Sequence, residues 1–207
     1  MFSPCVCSNG MGESLKGVAI ALQCRSSDLL TRERCFRRIW EAYYARLAVF
    51  VRGARGPGPD DEDLVQEIME KIWRGILGYD PAWCFSTWVY TIARNACRDR
   101  ARRRLVRPET VPLSEHHGRS AGPGPEEALI RGESERLVDR FFASADTETR
   151  QIAFLRFHEQ LGYREISSVM GIPVGTAKFR IHAIRGKLKA AMGGEDADRR
   201  PVRAQVF

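Results

Sequence analysis

Apolar side chains recur at helical spacing along this chain, in stretches separated by glycine- and proline-rich breaks. From Thr31, the positions Phe36, Trp40, Tyr43, Tyr44, Leu47, Phe50 and Val51 form one stripe, which ends at Gly53 to Pro59 (GARGPGP). A second helix follows in DDEDLVQEIMEKIWRGIL. Leu64, Val65, Ile68, Ile72 and Ile76 point inward there, and Asp63, Gln66, Glu67, Glu70 and Arg74 stay mostly outside. Its acidic first turn suits the positive end of a helix dipole. The turn GYDPA, from Gly78 to Ala82, leads into a third helix from Phe85 to Arg104. Trp88, Val89, Ile92, Ala93 and Ala96 share one face of it, and Trp88 is read as core. Together these segments predict a three-helix unit, extended by a short helix before Thr31.

The clearest break lies between Arg107 and Pro125, where four prolines (Pro108, Pro112, Pro123, Pro125) and Gly118, Gly122 and Gly124 leave little to build a core. Helical spacing returns from Glu126 with Leu129, Leu137, Val138, Phe141 and Phe142, then Ile152, Leu155 and Phe157. Tyr163 to Met170 predicts a short helix with Ile166, Val169 and Met170 inward. Gly171, Ile172 and Pro173 form a tight turn, and Val174 to Met192 a longer helix with Ala177, Ile181, Ile184 and Leu188 inward. This is a helix-turn-helix pattern, with glycine where a left-handed backbone is needed. The fold class is therefore all-α: two small helical domains joined by a flexible linker, the second a helix-turn-helix. The expected boundaries are an extension over 1–29, a first domain over 30–107, a linker over 108–125, a second domain over 126–192 and a disordered tail over 193–207.

Charge sharpens this division. The net charge of +7 and pI near 9.3 favour a polyanionic partner. Residues 94–107 hold seven arginines and one acid, whereas Pro59 to Asp80 holds seven acids against Lys71 and Arg74, so the two surfaces suit different partners. Residues 151–192 carry seven Lys/Arg against two Glu, consistent with a DNA face. No apolar run reaches the roughly 20 residues that cross a bilayer. The six cysteines form no CxxC pair, so reduced thiols in a cytoplasmic protein are expected, with Cys84 and Cys97 as small buried hydrophobes. No glycine-rich phosphate loop, nucleophile elbow or metal-ligand spacing is present. His116, His117, His158 and His182 converge on no motif. The expectation is a non-enzyme with no cofactor and no metal.

The candidate chemistry lies in two basic helices. Tyr79, Trp83 and Phe85 crowd the approach to the third helix, and Arg94, Arg98, Arg100, Arg102, Arg103 and Arg104 continue along it. Aromatic faces beside a cationic rod suit single-stranded nucleic acid, because bases stack while arginines hold phosphates. A core helix with a solvated basic end has the same composition. In the last helix the outward stripe holds Lys178, Phe179, His182, Arg185 and Lys189. That arrangement fits a recognition helix in a major groove or, less readily, a basic helical hairpin.

Residues 31–192 together resemble the extracytoplasmic-function (ECF) sigma factors, the two-domain initiation factors of bacterial RNA polymerase. Asp63 to Glu67 (DLVQE) is similar to that family's core-binding motif. Phe85 to Asn95 (FSTWVYTIARN) is similar to its promoter-melting segment. Tyr163 to Ile166 (YREI) with Gly175 to Arg180 (GTAKFR) is similar to its minus-35 helix-turn-helix. The resemblance implies that the two domains are sigma regions 2 and 4. It implies that Asp63, Gln66 and Glu67 dock on the clamp helices of core RNA polymerase. A base flipped from single-stranded minus-10 DNA would be captured by Asn95 and the loop carrying Tyr79, Trp83 and Phe85. Arg94, Arg98, Arg102, Arg103 and Arg104 would hold phosphates. Lys178, Phe179 and His182 would meet bases of duplex minus-35 DNA, with Thr176, Arg180 and Arg185 nearer its phosphates. The resemblance also implies a linker threaded through the polymerase cleft and, as a further partner, an anti-sigma protein. Phe179 departs from the commoner pattern, where a small polar residue stands, and suits a thymine methyl. The alternative is a conventional helix-turn-helix regulator that binds duplex DNA without polymerase. It leaves the DLVQE helix and the aromatic-Asn-Arg segment without a role.

Overall fold

The computed structural model describes residues 19, 22–24, 28–55, 61–106 and 141–191. Among them every regular element is helical. The linker reading over 108–125, the apolar positions Leu129, Leu137 and Val138, and the tail over 193–207 lie outside the described residues.

Helix α1 spans Leu29–Arg55, α2 spans Asp61–Gly75 with a 3₁₀ turn over Ile76–Gly78, and α3 spans Phe85–Val106. Asp28 caps α1, its carboxylate accepting from the Thr31 backbone N–H at 3.1 Å. The inward line of α1 runs through Cys35, Ile39, Tyr43, Leu47, Phe50, Val51 and Ala54, all buried. It is rotated from the predicted stripe: Trp40 is exposed, and Phe36 and Tyr44 are half-buried. In α2 the five predicted residues Leu64, Val65, Ile68, Ile72 and Ile76 are all fully buried, with Met69 beside them. Each such aliphatic burial contributes roughly 1.5–3 kcal/mol, which is what holds short helices that would fray alone.

Cys24, Cys35 and Cys97 are buried and outside any disulfide. Burial, with the neighbouring Cys35, pushes the Cys24 thiol up to about 11. Cys84 is buried as expected but is disulfide-bonded, not a reduced thiol.

The second unit contains α4 (Thr147–Ala153), a π-helical turn over Phe154–His158, α5 (Tyr163–Met170) and α6 (Val174–Ala191). Asp146 caps α4, its carboxylate accepting from the Thr149 N–H at 2.6 Å. Ile166, Val169 and Met170 of α5 and Ala177, Ile181, Ile184 and Leu188 of α6 are buried, as the sequence predicts. The two units do not stand apart. Helix α4 packs on α1, α5 packs on α3, and one continuous apolar core includes residues of both.

Candidate nucleic-acid interface

Helix α6 presents its outward face as a recognition helix must. Four inward residues at i, i+4, i+7 and i+11 anchor it, which leaves Lys178, Phe179, His182 and Arg185 exposed on the other side. Phe179 is 74% exposed, an apolar ring held in water by the packing of its neighbours. The turn ahead of the helix is set by Gly171, at φ 58° and ψ 38°, a left-handed conformation that other residues adopt only with strain. The Ile172 N–H donates to Ser167 O at 3.2 Å, and the Ser167 hydroxyl donates to Ile172 O at 2.6 Å, closing the turn from both sides. At the start of α5 the Gly162 N–H donates to the Glu165 carboxylate at 2.6 Å. Thr176 and Arg180 are half-buried at the margin. Arg180 is paired with Glu148 of α4, and Arg185 lies over the Phe157 ring at 6.0 Å.

The aromatic residues before α3 behave differently from the sequence expectation. Tyr79 and Phe85, read as stacking surfaces for an unpaired base, are 1% and 0% exposed. Their rings meet each other at 5.2 Å, and Tyr79 meets Trp88 at 5.2 Å. The Tyr79 hydroxyl donates to Trp83 O at 2.5 Å, so it shapes the loop from within. Helix α3 is covered on more than one side, and that leaves no solvent for these rings to face. Trp83 is 52% exposed at the loop tip. The Asp80 carboxylate accepts from the Ala82 N–H at 2.9 Å and steadies this tip. Trp88 is half-buried rather than fully core.

Further along α3, Asn95, Arg98, Arg102, Arg103 and Arg104 are exposed, forming a polar and cationic strip. Arg94 is half-buried, and its pKa is lowered by that burial and then by the Arg98 charge. Thus Trp83, Asn95 and four of the five arginines remain accessible, while Tyr79 and Phe85 do not.

The acidic motif lines a groove between α1 and α2. Asp63, Gln66 and Glu67 form one wall, and Phe36, Trp40 and Trp73 supply aromatic surface. Asp63 and Gln66 are exposed. Glu67 is tied to Lys71 at 2.8 Å and lies 3.9 Å from Arg100 of α3. The Lys71 hydrogen bond, with help from the Arg103 and Arg100 charges, holds the Glu67 carboxyl below the usual range despite opposing desolvation. Trp73 was not singled out in the sequence. Its signal is a tryptophan on the polar side of an otherwise well-patterned helix, against which Phe36 packs at 4.9 Å and the Arg32 guanidinium at 4.9 Å. Among the described residues no group of His, Cys, Asp or Glu could hold a metal ion, and no helix is long and apolar enough to cross a membrane.

Comparison with known proteins places these surfaces in a family. The model of sigma-70 region 2 matches residues 39–105, and that of sigma-70 region 4 matches residues 146–188. The ECF RNA polymerase sigma factor SigW of Bacillus subtilis is 30% identical over 138 residues, covering 62% of this chain and 73% of that protein. SigE of Mycolicibacterium smegmatis is 30% identical over 131 residues, and the match covers 63% of this chain and 51% of that longer relative. The fold resembles the sigma factor RpoE from Bartonella quintana, solved in complex with the anti-sigma factor NepR. The TM-score is 0.59 at 18% identity, over 76% of this chain and 96% of that one. With both regions in order on one chain, the protein belongs to the extracytoplasmic-function RNA polymerase sigma factors of the sigma-70 family.

Proposed function

We propose that this chain is an alternative sigma factor that binds core RNA polymerase, recognises minus-35 and minus-10 elements, and promotes strand opening without catalytic residues of its own. The observation that carries this reading is one chain bearing two separate exposed basic faces, on α3 and α6, each within residues matched by a sigma-70 region model.

On the α6 face, Lys178, Phe179 and His182 meet base edges of duplex minus-35 DNA. Arg185 and Thr176 lie toward phosphates. Arg180 joins them by exchanging Glu148, since an exposed ion pair contributes at most about 1 kcal/mol. On the α3 face, Asn95 reads a flipped minus-10 base, its amide offering both donor and acceptor. Trp83 supplies the stacking surface, and Arg98, Arg102, Arg103 and Arg104 hold the backbone. Tyr79 and Phe85 support the loop from inside rather than touch DNA. The α1–α2 groove receives a polymerase helix: Asp63 and Gln66 supply polar contacts over the aromatic floor. The same surfaces suit an anti-sigma protein, the kind of partner seen with the Bartonella quintana factor.

The deciding experiment is gel filtration of the purified protein with core RNA polymerase, comparing wild type with D63A/Q66A/E67A. Co-elution lost in the variant supports the proposal. Failure of the wild type to co-elute, with specific duplex binding by the protein alone, favours a conventional helix-turn-helix regulator instead.

A further inference from the structure

Two thiols meet where the chain enters the first helix. Residues 22–24 lie back against α1, where the Cys35 Sγ donates to the Gln23 side-chain oxygen at 3.8 Å. Cys24 and Cys35 share a hydrogen bond and are 0% and 6% exposed. Ten residues, Arg25 to Arg34, separate them, and Asp28, the cap of α1, lies between. Cysteine side chains already in contact meet the geometric condition for a disulfide, and neither of these is in one.

The third member of the cluster is Arg32, almost one turn before Cys35 on α1. Its charge acts on the Cys24 sulfur, and its guanidinium covers the Trp73 ring at 4.9 Å. The Arg32 Nε is buried with no hydrogen-bond partner among the described residues, an arrangement that costs stability unless a charge arrives beside it. A thiolate at Cys24 supplies that charge. At rest, burial and the neighbouring Cys35 keep the Cys24 proton in place against the pull of Arg32, so the covered pair is quiet. The cover is slight: Leu22 is 44% exposed and Gln23 is exposed, which leaves Cys24 as the buried anchor of the stretch. Opening so small a segment costs far less than global unfolding and uncovers Cys35.

We propose that Cys24 and Cys35 are an oxidisable dithiol that a small-molecule disulfide converts to an intramolecular disulfide, with Arg32 as the positioning residue for the second sulfur. The Cys35 sulfur loses its proton and attacks the small disulfide. That S–S bond breaks, a mixed disulfide forms at Cys35, and one small thiolate leaves and takes up a proton. When the segment closes again, Cys24 loses its proton beside Arg32 and attacks the Cys35 Sγ, which expels the second small thiol. Two protein thiols are thereby oxidised by two electrons, and the small disulfide is reduced to two thiols. The new bond ties the stretch ahead of α1 to the helix that carries Phe36 and Trp40, which line the groove given above to polymerase. The chemistry itself does not depend on that reading.

The test treats the purified full chain with oxidised glutathione and maps its tryptic peptides without reduction. The expected product is GVAIALQCR (17–25) joined to CFR (35–37). In C24S the reaction should stop at a glutathione adduct on Cys35. R32A, with helical circular dichroism retained, should close the disulfide about tenfold more slowly and accumulate that adduct, whereas R32K should stay within about twofold of wild type because it keeps the charge. No joined peptide in the wild type overturns the site, and so does joining of either cysteine to a different one instead. Closure equally fast in R32A, or equally slow in R32A and R32K, removes Arg32 from the chemistry. The wild-type map and C24S decide the site by themselves if R32A loses helicity. None of these readouts involves polymerase, so failure of the sigma reading shows separately, as no co-elution.

Discussion

Helices α3 and α6 are both basic, amphipathic and assigned to DNA, yet the aromatic approach to α3 departs from its sequence reading while the outward stripe of α6 follows it. Helix α6 is packed on one side, so its period of apolar residues divides buried from exposed without ambiguity: Ala177, Ile181, Ile184 and Leu188 in, Lys178, Phe179 and His182 out. Helix α3 lies between α1 and α2 on one flank and α5 on another. Its aromatic half is therefore enclosed: Phe85 and Tyr90, with Tyr79 of the loop before it, are all core. Where a helix is covered on several sides, periodicity cannot tell a stacking ring from a core ring; only the far end of α3, with Asn95 and Arg98, keeps an outward face.

The largest predicted effect separates buried from exposed aromatics around α3. F85A should cost about 3–5 kcal/mol, as truncation of a buried ring does, whereas W83A should leave the unfolding midpoint nearly unchanged and weaken promoter opening. Chemical denaturation and permanganate footprinting of promoter DNA check the pair. Equal destabilisation by both variants breaks the assignment of Trp83 to the DNA side.

On α6, F179A should leave stability intact and cost about 1–3 kcal/mol of binding to the preferred minus-35 duplex, with less effect on a duplex lacking the contacted thymine. Fluorescence anisotropy against both duplexes decides it. For the basic strip, R98A/R102A should reduce the slope of log binding constant against log salt by about 1.4, at about 0.7 per single-strand phosphate. An unchanged slope removes these arginines from the phosphate path.

Two smaller effects test the frame that holds α6. G171A forces a side chain into left-handed backbone and should cost about 1–2 kcal/mol. D146A removes a helix cap and should cost about 1 kcal/mol. The Thr149 backbone bond, with the Thr149 hydroxyl and nearby arginines, holds the Asp146 carboxyl below its ordinary value. Its contribution is therefore complete above the ordinary carboxylate range and is lost as pH falls through the lowered value. Thermal unfolding of wild type and D146A should converge in acid; a difference that persists there contradicts the capping role.

Much of the architecture was legible: the five inward residues of α2, the helix-turn-helix limits and the left-handed glycine all follow from spacing and local backbone chemistry. The inward line of α1 was legible in part: Tyr43, Leu47, Phe50 and Val51 are buried as predicted, but Phe36, Trp40 and Tyr44 stood in for Ile39 and Cys35, because large aromatics dominate a stripe drawn by hydrophobicity. Phe36 and Trp40 line the groove instead. Glu159 was invisible. A glutamate in a basic helical segment gives no local sign that it is buried, since its partner Arg46 lies over a hundred residues earlier in the chain.

Gly171 answers to a demand of the backbone alone. Its left-handed conformation sets the angle at which α6 leaves α5. A Cβ there would stand 3.5 Å from a guanidinium nitrogen of Arg94, an ordinary contact distance, so the neighbour filters nothing that the backbone admits. In a saturation library selected for transcription, asparagine, which accepts left-handed geometry, should therefore be the best tolerated replacement.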